Sequence, residues 1–194
     1  MFFVALGAGV PLLLKCQTGK EFFVISIYVI CALLMFGISS LYHRINWTVE
    51  KRQLWRKLDH CGIYLMIAGN FTPVSSLSLS SKSSQILLIT IWAIAAFGIV
   101  KSMFFMKLPK AVNTLLFLLG GYQIIFYFSE LRNGLGNFLT ALVILGGVFY
   151  TIGALCYAFK WPKLKPEIMG YHEIFHIFVN LGATAHYFVV HQLL

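Results

Sequence analysis

Long apolar blocks separated by short basic stretches leave this chain very few ways to fold. Seven blocks are read: Met1–Leu14, Glu21–Tyr42, Leu58–Leu79, Gln85–Met106, Ala111–Phe128, Asn137–Phe159 and Tyr171–Leu193. A helix needs about 20 residues to cross the hydrocarbon of a bilayer, and six of the blocks come near that. The first is short: either it tilts into a thin region, or Met1 lies inside a longer, truncated helix. Only 11% of the 194 residues are charged, against about 25% in a soluble domain. The expected fold is therefore an all-α integral membrane protein. Residues 1–194 form a single domain, a seven-transmembrane helix bundle. Pro73 is expected to kink the third block and free a carbonyl. The serine-rich stretch Ser75–Ser84 reads as a helix end and loop.

The basic residues orient the bundle. Arg44, Lys51, Arg52, Arg56, Lys57, Lys101, Lys107, Lys110, Lys160, Lys163 and Lys165 fall after blocks two, four and six. Lys15, Lys20, Lys82 and Arg132 fall on the other side and complete the 15. Cytoplasmic loops carry the Lys and Arg excess, which puts the N-terminus in the cytoplasm and the C-terminus outside. Trp47, Trp55 and Trp161 fall on the basic side, as interfacial tryptophans do. The net charge of +9 is thus a membrane-orientation signal. No basic stripe or RNA-binding motif accompanies it, so nucleic acid is not an expected partner. Cys16, Cys31, Cys61 and Cys156 show no metal or disulfide spacing. Met1–Leu14 lacks the basic start and small-residue cleavage site of a signal peptide.

Against this topology the polar residues converge. His43 ends the second block, Asp59 and His60 open the third, and His172 and His176 lie in the first turns of the seventh. All five come to one depth at the basic face, although the orientation was set by Lys and Arg alone. Histidines at i and i+4 share one helical face, the spacing that offers two imidazoles to one metal. Ser39 lies one turn before His43. A lone histidine at a membrane end is more often an interfacial or packing residue than a ligand. The pair, and its convergence with His43 and Asp59, favours a metal. Three imidazoles and an open position for water make a catalytic type of zinc site, with a carboxylate to orient the water or take its proton.

His172-Glu173-Ile174-Phe175-His176 also matches the zincin pattern, in which the glutamate is the base. No acid follows Glu173, and His186 is about 15 Å further along the helix. Glu173 therefore reads as an interfacial carboxylate or one that supports the ligands. His186 reads as a helix–helix hydrogen-bonding residue. His60 stays open: it supports Asp59, or faces the adjacent loop.

The ordered set Ser39-Ser40-Leu41-Tyr42-His43, Lys57-Leu58-Asp59-His60-Cys61-Gly62-Ile63-Tyr64, Ala68-Gly69-Asn70-Phe71-Thr72-Pro73 and His172–His176 with His186 resembles the hemolysin III family. That family is the bacterial branch of the progestin and adipoQ receptors, which include the adiponectin receptors. The resemblance covers nearly the whole chain. It implies seven helices with the N-terminus inside, and Zn2+ held by His43, His172 and His176. It places Asp59 near a zinc-bound water and matches Ser39 to the serine one turn before the first ligand. It also implies a bacterial inner membrane, with the metal near the cytoplasmic face. Relatives carry an acidic amphipathic stretch before the first span, whereas Met1 here falls within that span. The position of Glu173 is often uncharged in relatives.

Three readings of function follow. In the first, zinc serves hydrolysis of a membrane lipid amide or ester, as in the ceramidases of the wider superfamily, with Asp59 and Ser39 catalytic. In the second, zinc is structural and the protein senses or adjusts membrane state, as a receptor-like protein. The third, a cytolytic protein, ranks lowest, because a secreted pore former must first be soluble. His60 as a fourth ligand would close the metal and favour the second reading.

Overall fold

Every regular element among the described residues is helical. The computed structural model describes residues 1–105, 110–162 and 170–194, the side chains of Lys110 and Ala111 excepted. The helices are α1 (Phe2–Lys15), α2 (Gly19–Arg44), α3 (Val49–Ser78), α4 (Ser81–Phe104), α5 (Lys110–Tyr122), α6 (Phe128–Phe159) and α7 (Tyr171–Gln192). Among the described residues, four stretches are long and apolar enough to cross a membrane: Gly19–Arg44, Ser81–Phe104, Val112–Phe159 and Tyr171–Gln192. The expected end of the fourth block at Met106, and the basic residues Lys107, Lys163 and Lys165, lie outside the described residues.

The chain divides into two compact units, one built from α1–α4 and the other from α5–α7. In the first, α2 starts on a reciprocal cap. Thr18 accepts the Glu21 N–H at 3.2 Å, while Glu21 accepts the Thr18 N–H at 3.1 Å. Small residues then let backbones approach. A Cβ on Gly69 would sit 2.6 Å from the Cβ of Cys31, so α2 and α3 touch nearly backbone to backbone there. In the second unit, a Cβ on Gly182 would meet the Tyr150 ring at 2.8 Å, and one on Gly146 would meet His186 at 2.6 Å. The α6–α7 seam is thus glycine against ring, from both sides.

Three boundaries differ from the sequence expectation. The Trp47–Lys57 loop is mostly helix: α3 starts at Val49. Its polar first turns carry no apolar period, but Trp55 is held by stacking on Trp47, with ring centroids 4.9 Å apart. The Ser75–Ser84 stretch is helix except at Leu79 and Ser80. Serines suit a membrane helix when the hydroxyl bonds back one turn, as Ser78 Oγ does to the Val74 carbonyl. Ser80 accepts the Ser83 N–H and starts α4. α3 runs through Pro73 to Ser78, as the expected third block does. Finally, α5 tightens into a 3-10 stretch at Gln123–Tyr127. The chain re-enters helix at Phe128, where a connection was expected, and breaks at Gly136, whose φ of 76° only glycine adopts readily; the helix beyond the break starts at Asn137, as the sixth block does.

Candidate metal centre

The geometry begins at Gly170, whose extended backbone (φ −102°, ψ 178°) ends the preceding chain and starts α7. Its N–H donates to Glu173 Oε2 at 2.8 Å, which fixes the first turn. Glu173 is exposed, and its carboxylate is engaged at its own helix start. With that turn set, His172 and His176 face one another. Their Nε2 atoms are 3.2 Å apart and their rings cross at 86°. Two nitrogens each about 2.0–2.1 Å from a tetrahedral ion stand roughly 3.3–3.4 Å apart. The observed spacing fits that arrangement. It also fits one imidazole donating to the other, so the pair can trade a shared proton for a shared cation. Both rings are half-buried, against an aromatic wall. Tyr157 on α6 lies 5.9 Å from His172 and 5.3 Å from the buried Phe175, centroid to centroid. Phe175 in turn lies 5.3 Å from His176.

Four further candidates belong to the α1–α4 unit. His43 is exposed in the last turn of α2, its ring edge-on to Tyr42 at 4.6 Å. The end of that helix is tied down twice, by the Ile45 N–H and by the Trp47 indole, both donating to the Leu41 carbonyl. Ser39 is half-buried one turn earlier. Asp59 is half-buried on α3, and His60 beside it is buried. His60 Nδ1 lies 2.7 Å from the Arg56 carbonyl, which can only accept, so Nδ1 carries the proton. That bond turns the His60 ring back along its own helix.

His186 is spent on packing. Its Nε2–H donates to the Val143 carbonyl at 3.2 Å and its ring sits edge-on to Tyr150 at 5.4 Å, joining α7 to α6. Tyr157 was not among the residues singled out from sequence. It lies in the apolar run of α6, and nothing in spacing alone sets it apart from its neighbours.

Comparison with known proteins gives a consistent picture. The family model described as "Haemolysin-III related" matches residues 1–187. The chain is 33% identical over 177 residues to "Hemolysin-3" of Bacillus cereus, covering 91% of this chain and 77% of that protein. To the "Hemolysin-3 homolog" of Bacillus subtilis (strain 168) it is 32% identical over 165 residues, covering 85% and 74%. To the "Adiponectin receptor protein" of Drosophila melanogaster it is 29% identical over 191 residues, covering 90% of this chain and 43% of that protein.

Proposed function

This chain belongs to the haemolysin-III related family of membrane proteins, and we propose that it is a zinc-dependent hydrolase of a membrane lipid amide or ester. One observation carries this reading: the 3.2 Å approach of the His172 and His176 Nε2 atoms on adjacent turns of α7. His43 supplies the third imidazole, each of the three histidines offering one ring nitrogen. When bound, zinc supplies a Lewis acid for a carbonyl and brings the pKa of a water toward about 7. Nitrogen-only donation from three neutral imidazoles suits zinc and leaves a position for substrate.

Asp59 orients the attacking water and takes its proton. Its half-burial keeps the carboxylate near the surface of α3, within reach of a substrate lying at the helix ends. Ser39 donates a hydrogen bond to the carbonyl oxygen as charge develops there. Tyr157 and Phe175 shield the histidine pair from water and set the direction from which an acyl chain enters. The substrate comes from the lipid side, between helices. The same reading makes the chain one domain of seven spans in a bacterial inner membrane. The N-terminus is cytoplasmic, the C-terminus is outside, and the metal lies at the cytoplasmic face. Reporter fusions at the Trp47–Lys57 stretch and after Leu194 test this topology. A cytoplasmic C-terminus rejects it.

The similarity to an adiponectin receptor protein supports a second reading, in which zinc ties helices together in a receptor-like protein without turnover. Metal content of the purified full chain, measured alongside hydrolysis of a lipid extract by wild type and Asp59→Ala, separates the two. Stoichiometric zinc with wild-type turnover that Asp59→Ala lacks supports the hydrolase. Zinc with no turnover in either protein leaves the structural role, and a metal-free protein rejects both.

A further inference from the structure

His43 sits at a helix end, where an α-helix is least constrained. The last four carbonyls of a helix have no partner within it, and the last turn frays unless something closes it. No glycine closes α2. Ile45 follows Arg44 in extended backbone (φ −100°, ψ 134°), and its N–H reaches the Leu41 carbonyl only at 3.4 Å. The shorter bond to that oxygen comes from a side chain, the Trp47 Nε1–H at 3.0 Å. A tryptophan at a membrane face usually keeps its polar end toward water and headgroups. Trp47 turns its N–H back onto the helix the chain has just left.

The indole is held in turn by α3. Trp47 stacks on Trp55, with ring centroids 4.9 Å apart and planes 23° from parallel. Trp55 is one turn before Asp59, on the same face of its helix. A second contact joins the same two helices. The Arg52 guanidinium lies over the Tyr42 ring at 5.8 Å, and Tyr42 meets the His43 ring edge-on at 4.6 Å. Both contacts run from the first two turns of α3 to the last turn of α2. His43 is exposed, so burial does little to fix its ring. Its position follows from the helix end that carries it.

We propose that Trp47 is a positioning residue for His43. Its N–H closes the last turn of α2, and its stack on Trp55 ties that turn to the helix that carries Asp59. The imidazole and the carboxylate are thereby set in place before a metal arrives. A ligand on a frayed turn must be ordered on binding, and that ordering subtracts from affinity. The proposal rests on the reading of His43 as the third zinc ligand, and it gives Trp47 no part in the hydrolytic step.

The test is the zinc affinity of the purified full chain in detergent, measured by chelator competition, with the thermal midpoint of each protein measured free of metal. Trp47→Phe keeps a ring for the stack and removes the N–H. It should weaken zinc binding by about three- to ten-fold, the worth of one neutral hydrogen bond. Trp47→Ala and Trp55→Ala remove the stack and should weaken it by about ten-fold or more, as loss of a residue that orients a ligand does. Trp55→Phe, which keeps a ring against Trp47, should retain most of the affinity that Trp55→Ala loses. Trp92→Phe is the control. Trp92 Nε1 donates to Thr72 Oγ1 at 3.2 Å and joins α3 to α4, so the same change of side chain there breaks one indole hydrogen bond away from His43. It should lower the metal-free midpoint and leave zinc affinity within about two-fold. Wild-type affinity in both Trp47→Phe and Trp47→Ala overturns the proposal and leaves His43 a ligand. Equal weakening by Trp92→Phe and Trp47→Phe also overturns it, because general loosening of the helices then explains both. Full zinc affinity in His43→Ala, or no zinc in wild type, rejects the reading of the metal centre and the proposal with it.

Discussion

The first two turns of α7 and its fifth turn carry the same residue type and use it in opposite ways. His172 and His176 aim their Nε2 atoms at each other across 3.2 Å. His186 aims its Nε2 at a main-chain carbonyl of α6 and fits its ring against the bare backbone of Gly146. The surroundings decide the difference. The pair is half-buried beside tyrosine and phenylalanine rings with its two Nε2 atoms within reach of each other, so the two imidazoles can share a proton or a cation. His186 is buried next to a glycine, where the missing side chain exposes the helix backbone. A histidine in a membrane helix is thus read by what the neighbouring helix presents to it.

The largest effect that sharpens this contrast is metal binding. His172→Ala and His176→Ala each remove one of the paired nitrogens, and His43→Ala the third. Each loss is expected to exceed the 10- to 100-fold typical of a residue that only supports a ligand. Each variant should also lose the metal-dependent part of its thermal stability, because an ion bound only by the folded state stabilises it. His186→Phe should keep the metal and lose about 0.6 kcal/mol for one interhelical hydrogen bond in a membrane. Metal content and thermal midpoint, measured on all four proteins, check the contrast. Full zinc in His172→Ala at low free metal removes the centre.

The next effect acts on the packing histidine. Gly146→Leu places a side chain where the His186 ring already lies, with even a Cβ only 2.6 Å away. Overpacking of this kind costs about 1–3 kcal/mol, so the α6–α7 unit should melt earlier while metal affinity stays within about two-fold. A large loss of metal in Gly146→Leu would mean that the two stations on α7 are coupled, and the contrast between them would fail.

Apolar blocks were legible because hydrophobicity alone places a membrane helix, and α2, α4 and α7 follow them closely. Val49–Arg56 was not, since its turns are polar and its hold on the fold is a tryptophan stack that no periodicity announces. The stretch around Ser78 read as helix end and loop because hydroxyls suggest solvent, whereas inside the helix Ser78 Oγ bonds the carbonyl one turn back. At the candidate site, the i, i+4 pair was visible as spacing. The wall built by Tyr157 was invisible, because it depends on which face of α6 meets α7.

Asp59→Ala comes third in size. The carboxylate is assigned to the water and not to the ion, so zinc should remain at saturating metal while hydrolysis falls by about 10- to 100-fold or more. Single-turnover hydrolysis with parallel metal analysis reads both quantities. Loss of zinc equal to that of His43→Ala would make Asp59 a ligand, and the site would then be closed by four protein groups.

Glu173→Gln is the smallest expected effect and tests the helix that presents the pair. Glu173 is exposed, and its Oε2 accepts the Gly170 N–H at 2.8 Å, so its visible work is to start α7. A glutamine amide keeps an oxygen for that N–H, as the same cap position tolerates either residue. What disappears is a negative charge at the helix N-terminus, worth about 0.3–1 kcal/mol. The expected outcome is a slightly lower thermal midpoint, unchanged metal content and most of any turnover. If turnover vanishes while zinc stays bound, Glu173 is the general base. The zincin pattern would then hold after all, with the first turn of α7 supplying ligands and base together.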